Sequence, residues 1–509
     1  MKSDHLAPVA QEIELKLALP TSDPSGLAAR LASSPVLARR KSIHQHLYNT
    51  YYDTPEQDLR QAAIALRIRT IGDEGSAQQW LQTLKIGGNG DSALSQRGEW
   101  ESAVTGPALS RDALKATPWR DIDPKQEMLA ALAPCFVTCF DRTSWLVRGQ
   151  DGSSMEVALD IGRIEAGAYR APICELELEL LSGKPAALFK LAQKLAHTVA
   201  VVPANRSKSE RGYALAQNAI DMPRRAKRLK LSPDLSLPEV ANRVLQDAFA
   251  QFTVNLNALC TSDETEVVHQ ARVGWRRFKS ALRLFKPALA ADAVPTWEAL
   301  EPLLTVLGDL RDLDVARIET LPPLADAYTS GDARRASVWQ EMTVALEENA
   351  RLQRKAACYA LQEPAVGSAL LSITQWLVAM TSEVGHGDDV PKMNVSVRRW
   401  AKRRIVRLRD KLHLALMQAS DDDASQHRVR ILAKRLRYGI EALYTLLPKR
   451  HTEHWHQQAS DLQTAIGLAR DVRQVAALVA RMDVDRGLTE FLRGVAVARQ
   501  APPNELKVS

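Results

Sequence analysis

Glu12-Ile13-Glu14-Leu15-Lys16-Leu17 alternates charged and apolar residues without a break. In an extended strand neighbouring side chains point to opposite faces, so Glu12, Glu14 and Lys16 share one face and Ile13, Leu15 and Leu17 the other. The same period of two recurs downstream. Arg67 and Arg69 stand opposite Leu66 and Ile68, and Lys85 closes the run Trp80–Lys85. Arg97, Glu99 and Glu101 share one parity, Glu156 and Asp160 alternate with Val157, Leu159 and Ile161, and Glu175, Glu177 and Glu179 alternate with Leu176, Leu178 and Leu180. A solvated antiparallel sheet also alternates. Here, however, carboxylates gather on some strands and Arg or Lys on others, a division that mere solubility does not need.

Helical patterns at Ser25–Leu37 and Lys184–Val199 offer cover for the apolar faces. The charged faces then line an interior, which is costly to leave dry and unpaired. Filled with a divalent ion and a polyanion it is self-consistent, because carboxylate oxygens suit Mg²⁺ or Mn²⁺ and Arg and Lys neutralise phosphate oxygens. The competing reading is a lumen closed by internal salt bridges with no ligand. His44 and His46 read as surface or packing residues.

The texture changes along the 509 residues. Short strand-like runs broken by clusters such as Gly87-Gly88-Asn89-Gly90-Asp91 fill the first 220 residues, where 25 basic residues balance 25 acidic ones. The whole net charge of +7 therefore falls in the remainder, which is rich in Ala, Leu and Arg and poor in glycine. Residues 217–236 read as a basic linker whose charge serves mainly solvation, and 496–509 as a C-terminal tail. No apolar run approaches the roughly 18 residues of a membrane span, and no signal-peptide layout opens the chain. Five scattered cysteines fit reduced thiols and a cytoplasmic location rather than a disulfide framework.

The C-terminal half contains itself twice. His269-Gln270-Ala271-Arg272-Val273, with Arg276, Arg277 and Lys279, matches His427-Arg428-Val429-Arg430-Ile431, with Lys434, Arg435 and Arg437, at an offset of 158. Leu307-Gly308 with Asp312 returns as Ile466-Gly467 with Asp471 at 159, so a duplication with one inserted residue explains both. On a helix His269, Arg272, Arg276, Lys279 and Arg283 form one stripe, and His427, Arg430, Lys434 and Arg437 another. Ser396–Leu412 adds a third basic run, with eight cations and one acid. Asp312 and Asp471 are candidate internal partners of the stripes.

Taken in order, Glu12-Ile13-Glu14-Leu15-Lys16 (an ExExK opening), Tyr51-Tyr52-Asp53-Thr54, Leu66-Arg67-Ile68-Arg69, Thr83-Leu84-Lys85, Arg97-Gly98-Glu99, Asp141-Arg142, Leu159-Asp160-Ile161-Gly162, Glu175 to Glu179, and Ser207-Lys208-Ser209-Glu210-Arg211-Gly212-Tyr213 resemble the CYTH superfamily of triphosphate tunnel enzymes over residues 9–216. The resemblance implies an α+β chain whose N-terminal part is an eight-stranded antiparallel β-tunnel with flanking helices, holding a triphosphate end-on. It implies Glu12, Glu14, Glu175 and Glu177 as ligands of Mg²⁺ or Mn²⁺, with Glu179 a weaker candidate. Arg67, Arg69, Arg97, Arg142 and Lys208 become substrate-binding residues, and Lys16, Lys85, Glu99 and Asp160 carry catalytic roles.

The two His-x-x-Arg helices, Leu307-Gly308-x-x-Arg311-Asp312 and Lys434-Arg435-Leu436-Arg437-Tyr438 resemble the CHAD domain. That family implies an all-α duplicated bundle, here over residues 237–495, with basic grooves for inorganic polyphosphate. His269, Arg272, Arg276, Lys279, His427, Arg430, Lys434 and Arg437 are its implied binding residues. The first copy has Ser280 where the second has Tyr438, so the stripes are not equivalent. Together the resemblances imply an inorganic triphosphatase acting on tripolyphosphate, with the helical half concentrating longer chains. The alternatives are class IV adenylate cyclase chemistry, hydrolysis of thiamine or nucleoside triphosphates, and a non-catalytic polyphosphate or RNA scaffold. The cyclase would need adenine and ribose recognition at the tunnel mouth, for which no base-reading motif appears, and no RNA-recognition aromatic motif accompanies the basic helices, which speaks against a nucleic-acid partner.

Overall fold

The computed structural model describes residues 11–21, 23–72, 78–87, 92–220, 222–289, 294–383, 396–419, 422–482 and 484–499. The leading residues 1–10, most of the glycine cluster (88–91) and the tail from 500 lie outside them.

Nine strands form one antiparallel sheet: β1 (Gln11–Ala18), β2 (Ser42–Asp53), β3 (Ile64–Ile71), β4 (Gln79–Ile86), β5 (Leu94–Val104), β6 (Ala133–Arg148), β7 (Ser154–Ala166), β8 (Tyr169–Ser182) and the two-residue β9 (Val202–Pro203). Their order is β5-β4-β3-β2-β6-β7-β8-β1-β9. A further pairing of β1 with β5, from Gln11 opposite Gly98 to Leu15 opposite Leu94, closes the first eight into a barrel, and β9 merely extends one edge of β1. Closure removes the exposed edges an open sheet would leave. The expected eight-stranded tunnel is therefore present.

The apolar parity faces outward. Leu15, Leu17, Val157, Leu159, Leu176 and Leu178 pack with Leu27 and Leu31 of α1 (Leu27–Ser33) and with Leu188, Phe189, Leu191 and Leu195 of the helix Ala186–Ala196. A second patch on β3 and β4 (Ile64, Leu66, Leu84) is covered from the short helices α2 (Asp58–Gln61), α3 (Arg111–Lys115), α4 (Trp119–Ile122) and α5 (Glu127–Ala131). The helix Ala186–Ala196 is thus α6, and α7 (Lys208–Ala216) follows. Ser207 caps α7 reciprocally with Glu210, which fixes where the helix starts and hence where Lys208 points. Tyr213 and Leu215 of α7 join Phe136, Phe140, Ile164 and Ile173 in a further core.

The helical part comprises α8 (Leu237–Ala258), α9 (Thr265–Phe285), α10 (Glu301–Asp314), α11 (Ala325–Thr329), α12 (Ala333–Leu361), α13 (Pro364–Glu383), α14 (Val397–Met417), α15 (Asp423–Leu443), α16 (Lys449–Met482) and α17 (Arg486–Ala498). The repeat is legible in the coordinates, since α9 and α15 begin and end at the same offset as their sequences. Two compact units result. One contains residues 1–223 together with 253–264 and 361–378; the other contains 224–252, 265–360 and 379–509. Helical pieces of the C-terminal half thus complete the barrel unit. Leu371 enters its core, and Gln193 Nε2 donates to the Ser368 carbonyl and to Ser372 Oγ at 3.0 Å each.

The basic linker does more than solvate. Within the helical unit Arg224 pairs with Asp247 at 3.2 Å, Arg228 lies 4.1 Å from the Tyr444 ring, and Leu231 N donates to Thr445 Oγ1. None of the described helices is long and apolar enough to cross a membrane. Cys135, Cys139 and Cys174 carry free thiols.

Gly162 of β7 lies close against β6: a Cβ there would stand 2.2 Å from the Cys139 carbonyl oxygen. Gly162→Ala should lower barrel stability by roughly 1–3 kcal/mol by overpacking. Gly106→Ala, whose Cβ meets nothing within 4 Å, should be near neutral. Urea midpoints of the two variants make the comparison.

Candidate active site and basic groove

Antiparallel register carries the inward residues of successive strands to the same level. Arg142 lies opposite Asp160, Asp160 opposite Glu175, and Glu177 opposite Lys16. Glu179 lies opposite both Glu14 and Glu156. Like charges directly opposite are destabilising in a sheet, so this barrel accepts a cost that an ordinary core would not. The lumen is a cavity of about 300 Å³.

Asp160, Glu175 and Glu177 each offer an oxygen within 4.8 Å of the others. Lys208 Nζ stands among them, 2.6 Å from Asp160, 2.5 Å from Glu175 and 2.8 Å from Glu177. Arg142 grips the same group from the side, with Nη2 at 2.6 Å from Asp160 Oδ2 and 2.5 Å from Glu177 Oε2. Lys16 reaches Glu177 at 3.2 Å, and Arg211 reaches Glu175 at 3.3 Å. Burial would raise the Glu177 carboxyl, but Lys208, Lys16 and Arg142 hold it well below the usual range. Asp160, fully buried, is lowered the same way by Arg142 and Lys208.

A second cluster is built around Glu12. Lys85 Nζ lies 2.9 Å from Glu12 and 3.1 Å from Glu99, while Arg97 bridges Glu12 at 2.6 Å and Glu14 at 3.0 Å. Burial works against ionising Glu12, yet Lys85 and Arg97 bring its carboxyl below the ordinary range. Glu14 goes the other way, raised by burial and by Glu177; its Oε1 has no hydrogen bond and only Lys16 at 3.4 Å. Glu179 is pushed up to about 7, by burial first and then by Glu12 and Glu99.

Among the described lumen cations, Arg67 and Arg69 have the weakest carboxylate pairing. Arg67 has Glu99 only at 4.0 Å, and its guanidinium shares a 3.4 Å contact with Tyr51 Oη. Arg69 makes no salt bridge among the described residues, donating instead to Asn49 Oδ1 at 3.0 Å. Burial, then Arg67 and Arg142, lower its proton affinity to about 10. A guanidinium that is nearly buried and repelled by its neighbours is a site prepared for an anion.

Of the expected tunnel residues, Glu12, Glu14, Lys16, Arg67, Arg69, Lys85, Arg97, Glu99, Arg142, Glu177 and Lys208 line the cavity, whereas Asp160 and Glu175 are buried and do not line it. Sequence parity did not group them. Of the four expected metal ligands, Glu175 and Glu177 meet with Asp160, Glu14 lies beside Glu177, and Glu12 is clasped by Lys85 and Arg97. Arg211, Tyr51 and Thr83, which donates to Glu101 at 3.1 Å, stand in the quoted motifs but carry no role there. Arg211 was readable, because it stands one helical turn beyond Lys208.

In the helical unit the two stripes converge. Arg276 of α9 meets Arg430, Lys434, Arg437 and Tyr438 of α15 around a cavity of about 350 Å³, whose far wall is α16. Burial, then Arg430 and Arg276, lower the Lys434 ammonium to about 7. Arg437 has Glu441 at 3.6 Å, whereas Arg276, Arg430 and Lys434 have no salt bridge among the described residues. Arg272 and Lys279 flank Arg276 along α9. Arg272 lies across Gly308, where a Cβ would be 2.9 Å from its Nη1. His269 is half-buried and lowered to about 4, by burial and then Arg311, so at neutral pH it adds no charge. His427 is exposed and outside the cavity lining. Asp471 lines the cavity and Asp312 accepts from Gln474 at 2.8 Å, so both acids take part in the internal network. Arg470, which faces Lys434 and Arg430, was missed although the repeat maps Arg311 onto it.

Fold and lumen define an antiparallel tunnel protein with an appended, internally duplicated helical unit. Residues 10–213 are a CYTH domain and residues 243–480 a CHAD domain, each matched by its family model. The chain is similar to an inorganic triphosphatase of Haemophilus influenzae, 36% identical over 208 residues, which is 40% of this chain and 55% of that relative. Among solved structures it is similar to the CHAD domain of the plant Ricinus communis (27% identity, 56% of this chain, 95% of that one, TM-score 0.47). It is also similar to a Hippeastrum protein described as an adenylyl cyclase with a dominant triphosphatase activity (19% identity, 41% of this chain, 95% of that one, TM-score 0.30).

Removing Arg142 leaves Asp160 and Glu177 short of a partner, whereas removing Arg69 relieves repulsion. Arg142→Ala should therefore cost on the order of 3 kcal/mol, and Arg69→Ala should leave the thermal midpoint unchanged or raised. Thermal denaturation of the two variants without ligand tests this.

Proposed function

We propose that the chain is a metal-dependent inorganic triphosphatase, converting tripolyphosphate to pyrophosphate and phosphate, with a helical unit that binds polyphosphate. The carrying observation is the lumen itself, in which an all-oxygen carboxylate cluster adjoins cations that lack full partners. The fit to a divalent ion rests on the donor set: Asp160, Glu175 and Glu177 converge within 4.8 Å around the Lys208 ammonium, whose place a bound ion would take, and the neighbouring buried Glu14 Oε1 has no hydrogen bond. Hard carboxylate oxygens of this kind suit Mg²⁺ or Mn²⁺. When bound, the ion supplies charge neutralisation and activation of the attacking water.

The chain's own residues do the rest. Arg67 and Arg69 bind and orient the phosphate chain, and their charge stabilises the equatorial oxygens as they gain charge in the transition state. Lys16, Arg97 and Arg142, held by carboxylates, stay charged and fixed in direction. Lys85, whose proton affinity is lowered by burial and then by Arg97 and Arg67, gains phosphate as a further counter-ion beside Glu12 and Glu99. Lys16, Arg67 and Lys208 are buried, so their contacts are worth more than at a surface. No side-chain nucleophile is required. The relative's activity supports this reading.

Phosphate release from tripolyphosphate, ATP and thiamine triphosphate with Mg²⁺ or Mn²⁺ is the test. Tripolyphosphate should be the best substrate, and Arg69→Ala or Lys85→Ala should reduce turnover by about 10³-fold. Cyclic AMP as the main product from ATP, or silence on all three substrates, would overturn the proposal.

Polyphosphate in the groove should return Lys434 to its charged form and so take up a proton. Affinity should be highest below pH 7 and fall as pH rises from 7 toward the ordinary lysine range of about 10.4. Lys434→Arg should flatten that dependence, measured by polyphosphate titration between pH 6 and 9.

A further inference from the structure

The basic run Ser396–Leu412 has no part in the groove cavity, yet it meets the end of the α9 stripe. Trp400 of α14 stacks on Phe285, the last residue of α9, with centroids 5.3 Å apart. Gly439 of α15 sits at the same junction, where a Cβ would stand 3.0 Å from Ile405 Cδ1 and 3.8 Å from Leu284 Cδ1. The close approach of α9, α14 and α15 brings Arg404 Nη2 to 3.0 Å from the Arg283 carbonyl oxygen. Beyond Arg404, Arg407 and Lys411 recur at i+3 and i+7, so the three form one row along α14.

The cations are continuous from the groove to this row. Lys434 and Arg430 neighbour Arg276, and Lys279 neighbours Arg276, Arg272 and Arg283. Arg283 in turn neighbours Arg435, and Arg404 neighbours Arg407. Among the described residues none of Arg283, Arg404, Arg407, Lys411 and Arg435 has a salt-bridge partner. Arg404 Nε and Arg435 Nε are buried without a hydrogen bond. Of the neighbouring acids, Asp410 is held by Arg409 at 2.5 Å and Glu301 lies beside Lys279. A row of unpaired like charges repels itself, and a polyanion laid along it relieves that repulsion.

We propose that Arg283, Arg404, Arg407, Lys411 and Arg435 extend the groove into a second subsite for long polyphosphate, so that the helical unit selects ligands by chain length. This rests on the polyphosphate reading of the groove. At ~1.5 Å per residue the α9 row from Arg272 to Arg283 rises ~16 Å and the α14 row ~10 Å. A triphosphate, with only a few bonds between its outer phosphorus atoms, cannot occupy both rows; a long chain can. Single-stranded nucleic acid would want aromatic faces for its bases. Trp400 is already stacked on Phe285, Tyr438 is buried, and the Trp455 ring is covered by Arg409 at 4.8 Å. A phosphate polymer without bases fits this surface better.

The test is binding of a short and a long polyphosphate to the full chain in an Arg67→Ala, Arg69→Ala background with chelator, which removes both cations assigned to metal-free tunnel binding as well as hydrolysis. Arg407→Gln with Lys411→Gln, both exposed positions, should weaken the long chain about tenfold, leave the short chain within about twofold, and lower the salt slope for the long chain by about 1.4. Arg430→Ala with Lys434→Ala should weaken both lengths. If the groove variant acts on both lengths while the α14 variant leaves the long chain unchanged, the second subsite is wrong and the groove stands. If the groove variant affects neither length, the polyphosphate reading itself fails. A single-stranded RNA of matched charge that binds as tightly as the long polyphosphate would overturn the choice of occupant.

Discussion

The structure of the barrel depends on the Lys208 ammonium among the carboxylates of Asp160, Glu175 and Glu177. Asp160 lies opposite Glu175, and Glu177 is the next inward position on the same strand, so the three acids repel one another; the barrel can place them together because α7 delivers a cation into their midst. That delivery depends on the Ser207–Glu210 cap at the start of α7 and on Tyr213 and Leu215, which anchor the helix to Phe136, Phe140 and Ile173. Tyr213 Oη also donates to buried Asp53 at 2.6 Å, whose other contacts are the amides of Thr54, Leu59 and Arg60. A loop cap, a helix anchor and a charge cluster thus form one connected device.

The two units solve opposite electrostatic problems. In the tunnel nearly every cation has a carboxylate, and only Arg69, with the loosely paired Arg67, is left wanting an anion. In the helical groove the cations outnumber their partners, and the cost appears as a lysine whose ammonium is hard to keep charged. The first arrangement can hold a metal and a phosphate chain together. The second suits a polyanion alone, which explains why the chain's net positive charge is confined to its C-terminal part.

Much of this was legible in the residues. Strand parity gave the charged lumen and its apolar coat, because a period of two leaves no choice of face once one face is covered. The offsets of 158 and 159 gave the repeat, since helices α9 and α15 inherit their limits from their sequences. Grouping within the lumen was not legible. Whether Glu12 meets Glu175 or Lys85 depends on barrel register, which closes through the pairing of β1 with β5 rather than through any local signal. Equally hidden were His269, neutral because it is half-buried beside Arg311, and residues 253–264 and 361–378, helical in texture but packed into the barrel unit.

The central claim is that the carboxylate cluster and the cationic lumen act jointly on one ligand. Calorimetry with a non-hydrolysable imidotriphosphate, with and without Mn²⁺, tests it in the unaltered chain and in Glu177→Gln. The account predicts that Mn²⁺ tightens binding strongly in the unaltered chain and that this gain disappears in Glu177→Gln, while metal-free binding through Arg67 and Arg69 persists in both. Equal tightening by Mn²⁺ in the two proteins, or no effect of Mn²⁺ in either, would contradict it.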